Sequence, residues 1–364
     1  MKKFLSAVAL FFVPVVLIYG LFNLALYRSG EWHDEQDIAR MVLAGEPAFI
    51  GYAYRGNNEA YKYMVASGKK AELLVLGTSR SMQLRSEFFS EESFYNAGGG
   101  ANYVHAYRFF LESLPEDALP KTLVVVLDQY FFQEGWSILE LLPELNFSTY
   151  PFDYFATMRH MMQNWAIGKF RLKDLITAPP HTYGIAALGR GSGFYPDGSY
   201  CYGNLADHPE KGSDVGFHDS FDRIARGVNR FEWADEVYPP SLEEMNRLFS
   251  FCKEHDIQVV GIIPPYAPAV YRRMAETGKY TYMEKIAPAL CQIMEPLGYE
   301  LYDFTSMPDA PNEEYVDGYH GGDRVYARLM LKISETSQIL NGKIDTEYLQ
   351  AALAPSSSPL RLAA

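Results

Sequence analysis

The sequence predicts an α/β protein whose main domain contains a mainly parallel sheet, preceded by one N-terminal transmembrane helix. Short apolar runs alternate with amphipathic segments from about residue 71 onward, the pattern of strands joined by helical crossovers. Before them, a segment without charged side chains runs from Phe4 to Tyr27. This segment is long enough to provide the roughly 20 apolar residues that cross a bilayer.

Residues 1–29 are predicted to form an uncleaved membrane anchor. A secretory signal has a shorter apolar core, about 7–15 residues, followed by small residues at a cleavage site, and the segment from Leu24 to Ser29 shows no convincing site. A cleaved signal is the alternative. Lys2 and Lys3 precede the span and four acidic residues follow it between positions 31 and 37. This asymmetry predicts a single-pass protein of the cell membrane with a cytoplasmic N-terminus and an extracytoplasmic main domain, periplasmic in a Gram-negative cell.

The main domain is predicted to span residues 71–340. Its apolar runs predict strands at 72–76, 94–95, 122–127, 258–263 and 300–302. Its amphipathic segments predict helices at 103–114, 241–255, 282–297 and 324–340. Short buried strands with helical connections favour a sheet covered on both faces, which is a three-layer α/β/α sandwich.

Three further segments do not follow this alternation. Residues 30–70 are predicted as a juxtamembrane region with helical patches. Residues 132–239 are rich in Tyr, Phe, Trp, Gly and Pro without a strand–helix repeat, which predicts an irregular insertion that serves as a lid or a partner surface. Residues 341–364, with their Ala, Pro and Ser, are predicted to be a disordered tail.

Charge and cysteine content exclude some classes of function. The formal net charge is −13 and no basic run is present, which excludes nucleic acid as a main partner. The cysteines are Cys201, Cys252 and Cys291; a Cys252–Cys291 disulfide and two buried thiols on helices both stay open. The eight histidines show no H-E-x-x-H spacing, so neither a catalytic metal nor a cofactor is predicted.

The first candidate catalytic residue is Ser79, in the segment LLVLGTSRSMQL from Leu73 to Leu84. The apolar run predicts a buried strand that ends at Gly77. Ser79 would therefore lie at the carboxyl end of a parallel sheet, where ligands bind in open α/β folds. A turn or capping role is the alternative, and the G-x-S-x-G elbow of α/β-hydrolases is absent.

A base for such a serine is present near the C-terminal end of the domain. His320 lies in the segment EEYVDGYHGGDRVYARLM, after the last predicted strand and before a helix, and Asp317 precedes it by three residues. In a tight turn this spacing allows the carboxylate to accept from imidazole Nδ1–H while Nε2 faces outward. The pair is weak evidence by itself and gains weight from its position relative to Ser79.

A glycine-rich segment follows the second predicted strand. Its residues run from Asn96 through Ala97 to Gly98, Gly99 and Gly100. Their backbone N–H groups are unhindered and suit a developing oxyanion. A loop that permits close packing is the alternative.

Together these segments resemble the SGNH, or GDSL-like, hydrolase superfamily. In that family a G-D-S-type strand end provides the nucleophile, an N-x-G segment an oxyanion glycine, and a late D-x-x-H the rest of a Ser-His-Asp triad. The resemblance implies that Ser79 is the nucleophile, with Thr78 in place of the usual aspartate, and that Asp317 and His320 complete the triad. It further implies that the backbone N–H groups of Ser79 and Gly98 are oxyanion donors.

The chain departs from the family pattern at the third block. The family has a Gly-x-Asn-Asp segment there, whose asparagine side chain is another oxyanion donor. This chain has VVVLDQYFF, in which Asp128 and Gln129 occupy the region and the Gln129 amide is the candidate replacement. Loss of one such donor costs about 10²–10³ in rate, so slow or partner-assisted turnover is expected.

Within the superfamily, the chain looks most like the membrane-anchored DltD-like and alginate-acetylation-type accessory proteins. The anchor and the segments GTSRS, DQYFF and GIIPPYAP carry this resemblance, which covers residues 70–130 and 240–340. It implies an extracytoplasmic polysaccharide or other envelope glycan as substrate and a polytopic membrane O-acyltransferase as partner.

Two further residues are candidates for substrate binding. Arg80 is suited to an anionic substrate or partner, and an ion pair that closes the turn is the alternative. Tyr266, in PPYAP, is expected to line the site, and a packed tyrosine beside the prolines is the alternative.

The resulting functional prediction is a serine acyl-esterase or O-acyltransferase that acts on cell-surface or exported polysaccharide. A non-catalytic scaffold, which docks onto a membrane acyltransferase or polysaccharide-export complex through its aromatic insertion, is the alternative from another class. An outward-facing lipid or peptide esterase is a third possibility, which predicts an apolar groove.

Overall fold

The computed structural model describes residues 2–54, 56–90, 93–138, 146–149 and 151–363, with backbone alone for 2–3 and 5–9. Met1 of the predicted anchor, 139–145 and 150 of the predicted insertion, and Ala364 of the predicted tail lie outside the described residues. The side chains of Lys2 and Lys3, on which the predicted orientation depends, also lie outside them.

The strands and helices of the described chain are as follows. The strands are β1 (Phe49–Ile50), β2 (Leu73–Gly77), β3 (Phe94–Gly98), β4 (Thr122–Val126), β5 (Thr182–Tyr183), β6 (Gly193–Phe194), β7 (Tyr200–Cys201), β8 (Gln258–Ile263) and β9 (Glu300–Asp303). The helices are α1 (Lys2–Ser29), α2 (Glu35–Leu43), α3 (Asn58–Lys69), α4 (Ala106–Ser113), α5 (Glu134–Ser137), α6 (Tyr154–Ala166), α7 (Leu172–Ile176), α8 (Ile185–Arg190), α9 (Asn204–Asp207), α10 (His218–Arg226), α11 (Pro239–Glu254), α12 (Pro268–Thr277), α13 (Met283–Met294), α14 (Asp323–Ser334) and α15 (Thr346–Ala352).

The larger sheet has five parallel strands in the order β3-β2-β4-β8-β9. The prediction of an α/β fold with a mainly parallel sheet is therefore confirmed, and each of the five predicted strands is present. Strands β2, β3 and β4 are buried along their whole length. Their apolar runs fit this position because parallel strands are covered on both faces. β2 lies in the middle of this trio, so its carboxyl end is flanked by the ends of β3 and β4.

The four predicted helices are also present, with shifted ends. α4 begins at Ala106 rather than Tyr103, and α14 ends at Ser334 rather than Leu340. α11 begins two residues earlier than predicted because Pro239 and Pro240 occupy its first turn. Proline is tolerated there because the N–H group that it lacks would have no acceptor within the helix.

The chain divides into two compact units. One unit comprises residues 1–57, 148–196 and 201–204, and the other comprises 58–147, 197–200 and 205–364. The larger sheet belongs to the second unit. This division differs from the predicted domain boundaries in two respects. Helix α3, predicted to belong to the juxtamembrane region that ends at residue 70, lies in the unit of the larger sheet, and the predicted insertion 132–239 is divided between the two units.

In the described part of the chain one helix, α1 of the first unit, is long and apolar enough to cross a membrane. This stretch is Leu10–Ser29, with a mean hydropathy of 2.1. Toward its C-terminal end, Phe22, Ala25 and Leu26 are buried against Met158 and other apolar side chains of the same unit. In this unit β5, β1 and β6 form a small sheet in that order.

The prediction of a disordered tail over 341–364 is wrong for the described residues 341–363. This segment contains α15, and Leu349 and Leu360 are fully buried. The Arg324 guanidinium donates to the carbonyl oxygens of Leu353 and Ala354 at 2.8 and 2.9 Å. The segment is rich in Ala, Pro and Ser but also contains apolar side chains that become buried, and its helix α15 packs against α14.

Candidate active site

The segment after β2 forms a tight turn that presents Ser79. Residues Ser79–Ser81 form one 3₁₀ turn, and the Thr78 side chain caps it by accepting from the Arg80 N–H at 3.1 Å. A Cβ on Gly77 would lie 2.9 Å from Ser81 Oγ, so the glycine lets the turn fold back on the strand. Ser79 is partly exposed, whereas both neighbours are buried.

Asp128, which follows β4, holds this turn from the adjacent strand end. Its Oδ2 accepts from Thr78 Oγ1 at 2.6 Å and from the Tyr130 hydroxyl at 3.1 Å. Its Oδ1 accepts from Arg80 Nη1 at 2.8 Å. The threonine at position 78 therefore has a structural partner in the third block.

Arg80 and Tyr266 are buried, each with about 1% of its surface exposed. The Arg80 guanidinium donates to Gln129 Oε1 at 2.8 Å and to the carbonyl oxygens of Pro264 and Pro265 at 3.0 and 2.8 Å. It also lies 4.8 Å from the centre of the Tyr266 ring. The predicted substrate-binding role of these two residues is not supported, because neither faces solvent. The alternatives of an ion pair that closes the turn and a packed tyrosine match the structure.

The loop that carries His320 is organised by Asp317. Asp317 Oδ1 accepts from the backbone N–H groups of Tyr319 and His320 at 3.0 and 2.8 Å. Its Oδ2 lies 2.7 Å from His320 Nδ1. The contact with the ring nitrogen is the one that the three-residue spacing predicts, and the two backbone hydrogen bonds are an addition that the sequence did not predict.

Ser79, His320 and Asp317 form a continuous hydrogen-bonded relay. Ser79 Oγ lies 2.8 Å from His320 Nε2. Burial raises the pKa of Asp317, but the charge of His320 and the hydrogen bonds from His320 and from the backbone outweigh it, so the pKa falls to about 2. The carboxylate is therefore ionised and only accepts, so Nδ1 carries the imidazole proton. In the neutral ring Nε2 is then free to accept the Ser79 hydroxyl proton.

The oxyanion donors differ from the prediction. Within the described part of the chain no acceptor is bonded to the Ser79 backbone N–H, which leaves it available. The Gly98 N–H donates to Asn96 Oδ1 at 2.6 Å, so the prediction of Gly98 as an oxyanion donor is not supported in this arrangement. A Cβ on Gly98 would lie 2.5 Å from Ser81 Oγ. The close-packing alternative for this glycine matches the structure.

Gln129 does not replace the missing asparagine. Its side chain is fully buried, and its amide donates to the Pro264 carbonyl at 2.7 Å and to Thr305 Oγ1 at 3.0 Å. Its Oε1 accepts from Arg80. The prediction of Gln129 as an oxyanion donor is not supported because both amide hydrogens already have acceptors.

Two residues that support the relay were missed by sequence reasoning. Asn96 donates to the carbonyl oxygens of Ser81 and Leu84 at 2.9 and 2.6 Å, and so holds the turn after β2. The buried Asp214 accepts from the Gly318 N–H at 3.2 Å, in the loop that carries His320. Asn96 had a signal, the N-x-G pattern. Asp214 lies in the irregular segment, where no pattern marks it.

Other candidate sites are separate from the relay. A groove of about 250 Å³ opens beyond the carboxyl end of β9 and is lined by Asp303, Thr305 and neighbouring side chains, but neither Ser79 nor His320 lines it. Among the described residues, no group of three His, Cys, Asp or Glu side chains is arranged to hold a metal ion. The three cysteines are free thiols.

The comparison with known proteins adds no assignment to this geometry. The functional interpretation therefore depends on the relay and the turn that presents it. No protein-family model and no curated protein sequence matches the chain.

Proposed function

We propose that this protein is a membrane-anchored serine acyl-esterase or O-acyltransferase with a Ser-His-Asp triad. The observation that carries the proposal is the relay in which Ser79 Oγ, His320 Nε2, His320 Nδ1 and Asp317 Oδ2 are joined at 2.8 and 2.7 Å. An adjacent base and an orienting carboxylate are what an otherwise weak serine nucleophile requires.

Acyl transfer proceeds in two half-reactions. Ser79 Oγ attacks the ester carbonyl carbon while its proton passes to His320 Nε2, and the carbonyl electrons move to oxygen. The tetrahedral adduct collapses, the bond to the leaving alkoxide breaks, and the alkoxide takes the proton from His320. Water or a sugar hydroxyl then attacks the acyl-Ser79 ester and loses its proton to His320. Collapse of the second adduct returns that proton to Ser79. The protein acts as an esterase when the acceptor is water and as a transferase when the acceptor is a sugar hydroxyl.

The available oxyanion donors set the expected rate. The Ser79 N–H is available, while the Gly98 N–H and the Gln129 amide are bonded elsewhere. Since each donor is worth about 10²–10³ in rate, turnover is slow unless a partner or substrate supplies a second donor.

The resemblance to the SGNH superfamily extends the proposal to fold detail, substrate and location. It favours a three-layer sandwich, an envelope polysaccharide as acceptor and a polytopic O-acyltransferase as partner. The apolar helix Leu10–Ser29 supports a single-pass anchor. Lys2 and Lys3 before it and acidic residues after it favour a cytoplasmic N-terminus and an extracytoplasmic catalytic domain.

A non-catalytic scaffold is the second candidate function. It is favoured by the engagement of Gly98 and Gln129 inside the protein, because a developing oxyanion would find few donors. The intact hydrogen-bonded relay opposes it, since docking requires none of the three residues.

The test is labelling of the full chain in lipid nanodiscs by a fluorophosphonate probe, with hydrolysis of an aryl acetate as second readout. We expect labelling and hydrolysis in the parent protein and their loss in Ser79→Ala. We expect labelling to fall steeply in His320→Ala, because the hydroxyl loses its base. Ser86→Ala is the matched control, since the Ser86 hydroxyl bonds Glu87 and not the relay.

The outcomes separate the two candidates. Labelling that occurs only in proteins that retain Ser79 supports the proposal of a serine esterase or acyltransferase. A parent protein that is folded but neither labelled nor active, or activity unchanged in Ser79→Ala, rejects the catalytic proposal. A comparison of the acetate that is released to water with the acetate that is transferred to an added oligosaccharide then distinguishes an esterase from a transferase.

A further inference from the structure

We propose that helix α6 and the residues that follow it lie on the membrane surface, with apolar side chains among the lipids and basic side chains at anionic phospholipid headgroups. This inference rests on the membrane anchor of the proposed function but not on its chemistry. All the residues concerned belong to the same compact unit as α1.

The first argument is the length of α1 that remains free for lipid. Phe22, Ala25 and Leu26 are buried within the protein, so they are not available to contact lipid tails. A hydrocarbon core of about 30 Å needs about 20 residues of helix at 1.5 Å per residue. Counted from Phe4, that length ends near Asn23, where Leu21 and Leu24 are still exposed beside the buried Phe22. The bilayer therefore reaches the level at which the rest of this unit begins.

The second argument is that α6 begins at this level. The hydroxyl groups of Tyr19 and Tyr154 are 2.6 Å apart, and the Tyr154 hydroxyl also donates to Asn23. The rings of Phe22 and Trp165 meet edge to face at 5.4 Å. Tyrosine and tryptophan are enriched at the boundary between hydrocarbon and water, so the position of α6 against α1 suits that boundary.

The third argument is the apolar surface that α6 leaves open. Phe155 and Ile167 are 80% and 69% exposed, and Met162 and Trp165 are also exposed. Large apolar side chains this exposed are costly in water. Because Tyr154 and Trp165 bring both ends of α6 into contact with α1, we infer that lipid, rather than water, covers these side chains.

Charge supports an anionic lipid as the occupant. Residues 151–177 contain Arg159, Lys169, Arg171 and Lys173 against two acidic residues, a basic segment in a protein of net charge −13. Lys169 and Arg190 line a groove of about 120 Å³ together with Asn164. Within the described chain neither Lys169 nor Arg190 forms an ion pair, and a phosphate group of a lipid supplies the missing anion.

The test uses nitroxide spin labels on the full chain in nanodiscs, with Cys291, the partly exposed native cysteine, replaced by serine. Labels are placed by Phe155→Cys and Ile167→Cys, by Val15→Cys in the anchor, and by Glu276→Cys at an exposed position of helix α12. The readout is the ratio of the label's collision rate with oxygen to its collision rate with a water-soluble nickel complex. We expect this ratio to be severalfold higher at positions 155 and 167 than at position 276. Adding phosphatidylglycerol to phosphatidylcholine should raise the ratio at 155, and Arg159→Gln with Lys169→Gln should remove that response.

The label at Val15 separates the two hypotheses. If Val15 reports lipid while 155 and 167 match 276, the surface proposal is overturned and the anchor stands. Contact with another protein would protect the labels at positions 155 and 167 from both oxygen and the nickel complex. That result also overturns the surface proposal. Water access at Val15 overturns the anchor itself.

Discussion

The Arg80 guanidinium and the Asp128 carboxylate form an ion pair at 2.8 Å in which neither side chain is exposed to solvent. Arg80 directly follows the candidate nucleophile, and Asp128 follows the neighbouring strand β4. The pair therefore ties the turn that carries Ser79 to the end of an adjacent strand. Burial of two charges is costly unless their remaining hydrogen bonds are made, and most of them are made here.

The first prediction concerns the loss of one partner. Asp128→Asn should lower the free energy of unfolding by about 3–5 kcal/mol, because it leaves the Arg80 charge buried without a counter-ion. Denaturant unfolding of the full chain in nanodiscs measures it. Asp117→Asn is the control, since its ion pair with Lys70 is exposed and exposed pairs contribute about 0–1 kcal/mol. Equal stability of Asp128→Asn and the control would contradict the role given to the pair.

The second prediction concerns the orienting carboxylate. Asp317→Asn should lower the rate of aryl acetate hydrolysis by about 10⁴ with the fold intact, because an amide can donate to Nδ1 and favour the wrong tautomer. Asp309→Asn is the matched control, since that exposed carboxylate pairs with Lys332 away from the relay. Activity retained in Asp317→Asn would show that the 2.7 Å contact does not orient a catalytic base.

The sequence predicts the sheet well because its signal is local. Continuous apolar runs such as Leu73–Leu76 and Leu123–Val126, each too short for a helix, are typical of a parallel strand that is buried on both faces. The relay is predictable for a related reason: Ser79 and His320 both follow strands, and carboxyl ends of parallel strands meet at one edge of the sheet.

The errors arise where a side chain's partner is distant in sequence. Arg80 and Gln129 look like groups for a ligand until Pro264 and Pro265 are seen to accept their hydrogens. Nothing in local sequence shows that a polar side chain is already bonded. The prediction of a disordered tail is wrong for the same reason, because composition does not show that Leu349 and Leu360 become buried where the segment packs against the rest of the fold.

The third prediction concerns Asp214 as a positioning residue. Its Oδ2 accepts from Ser220 Oγ at 2.6 Å and from the Gly318 N–H at 3.2 Å. Asp214→Ala should let the loop of His320 shift and lower kcat by about 10²-fold, since misplacement by 1 Å costs that much, with KM nearly unchanged. Asp214→Asn, which keeps an acceptor oxygen, should restore most of the rate.

Hydrolysis kinetics measure this effect against Asp219→Ala, whose partly exposed carboxylate pairs with Arg223 on the same helix. A loss confined to stability, with kcat unchanged, would assign Asp214 to the fold alone.

The fourth prediction concerns the buried Lys62 on α3. Its Nζ donates to the carbonyl of Asn96 at 3.0 Å and to that of Gly198, and it lies 5.8 and 5.6 Å from the centres of the Tyr61 and Tyr95 rings. Burial lowers the pKa of Lys62 to about 7, although the Asp197 carboxylate opposes the shift. The folded protein therefore binds this proton less tightly than the unfolded chain, whose lysine titrates near its ordinary pKa of 10.5.

The sign of the pH dependence follows from this difference. The cost of holding Lys62 charged is present in full below about pH 7 and is relieved as the pH rises toward 10.5. Stability should thus increase with pH across this window, by at most about 1.4 kcal/mol per pH unit for one proton. Lys62→Met should flatten the increase, whereas Lys332→Met, at an exposed ion pair, should preserve it. Denaturant unfolding between pH 7 and 9.5 measures the slope, and parallel curves for Lys62→Met and the parent protein would show that this lysine does not titrate in the folded state as its burial requires.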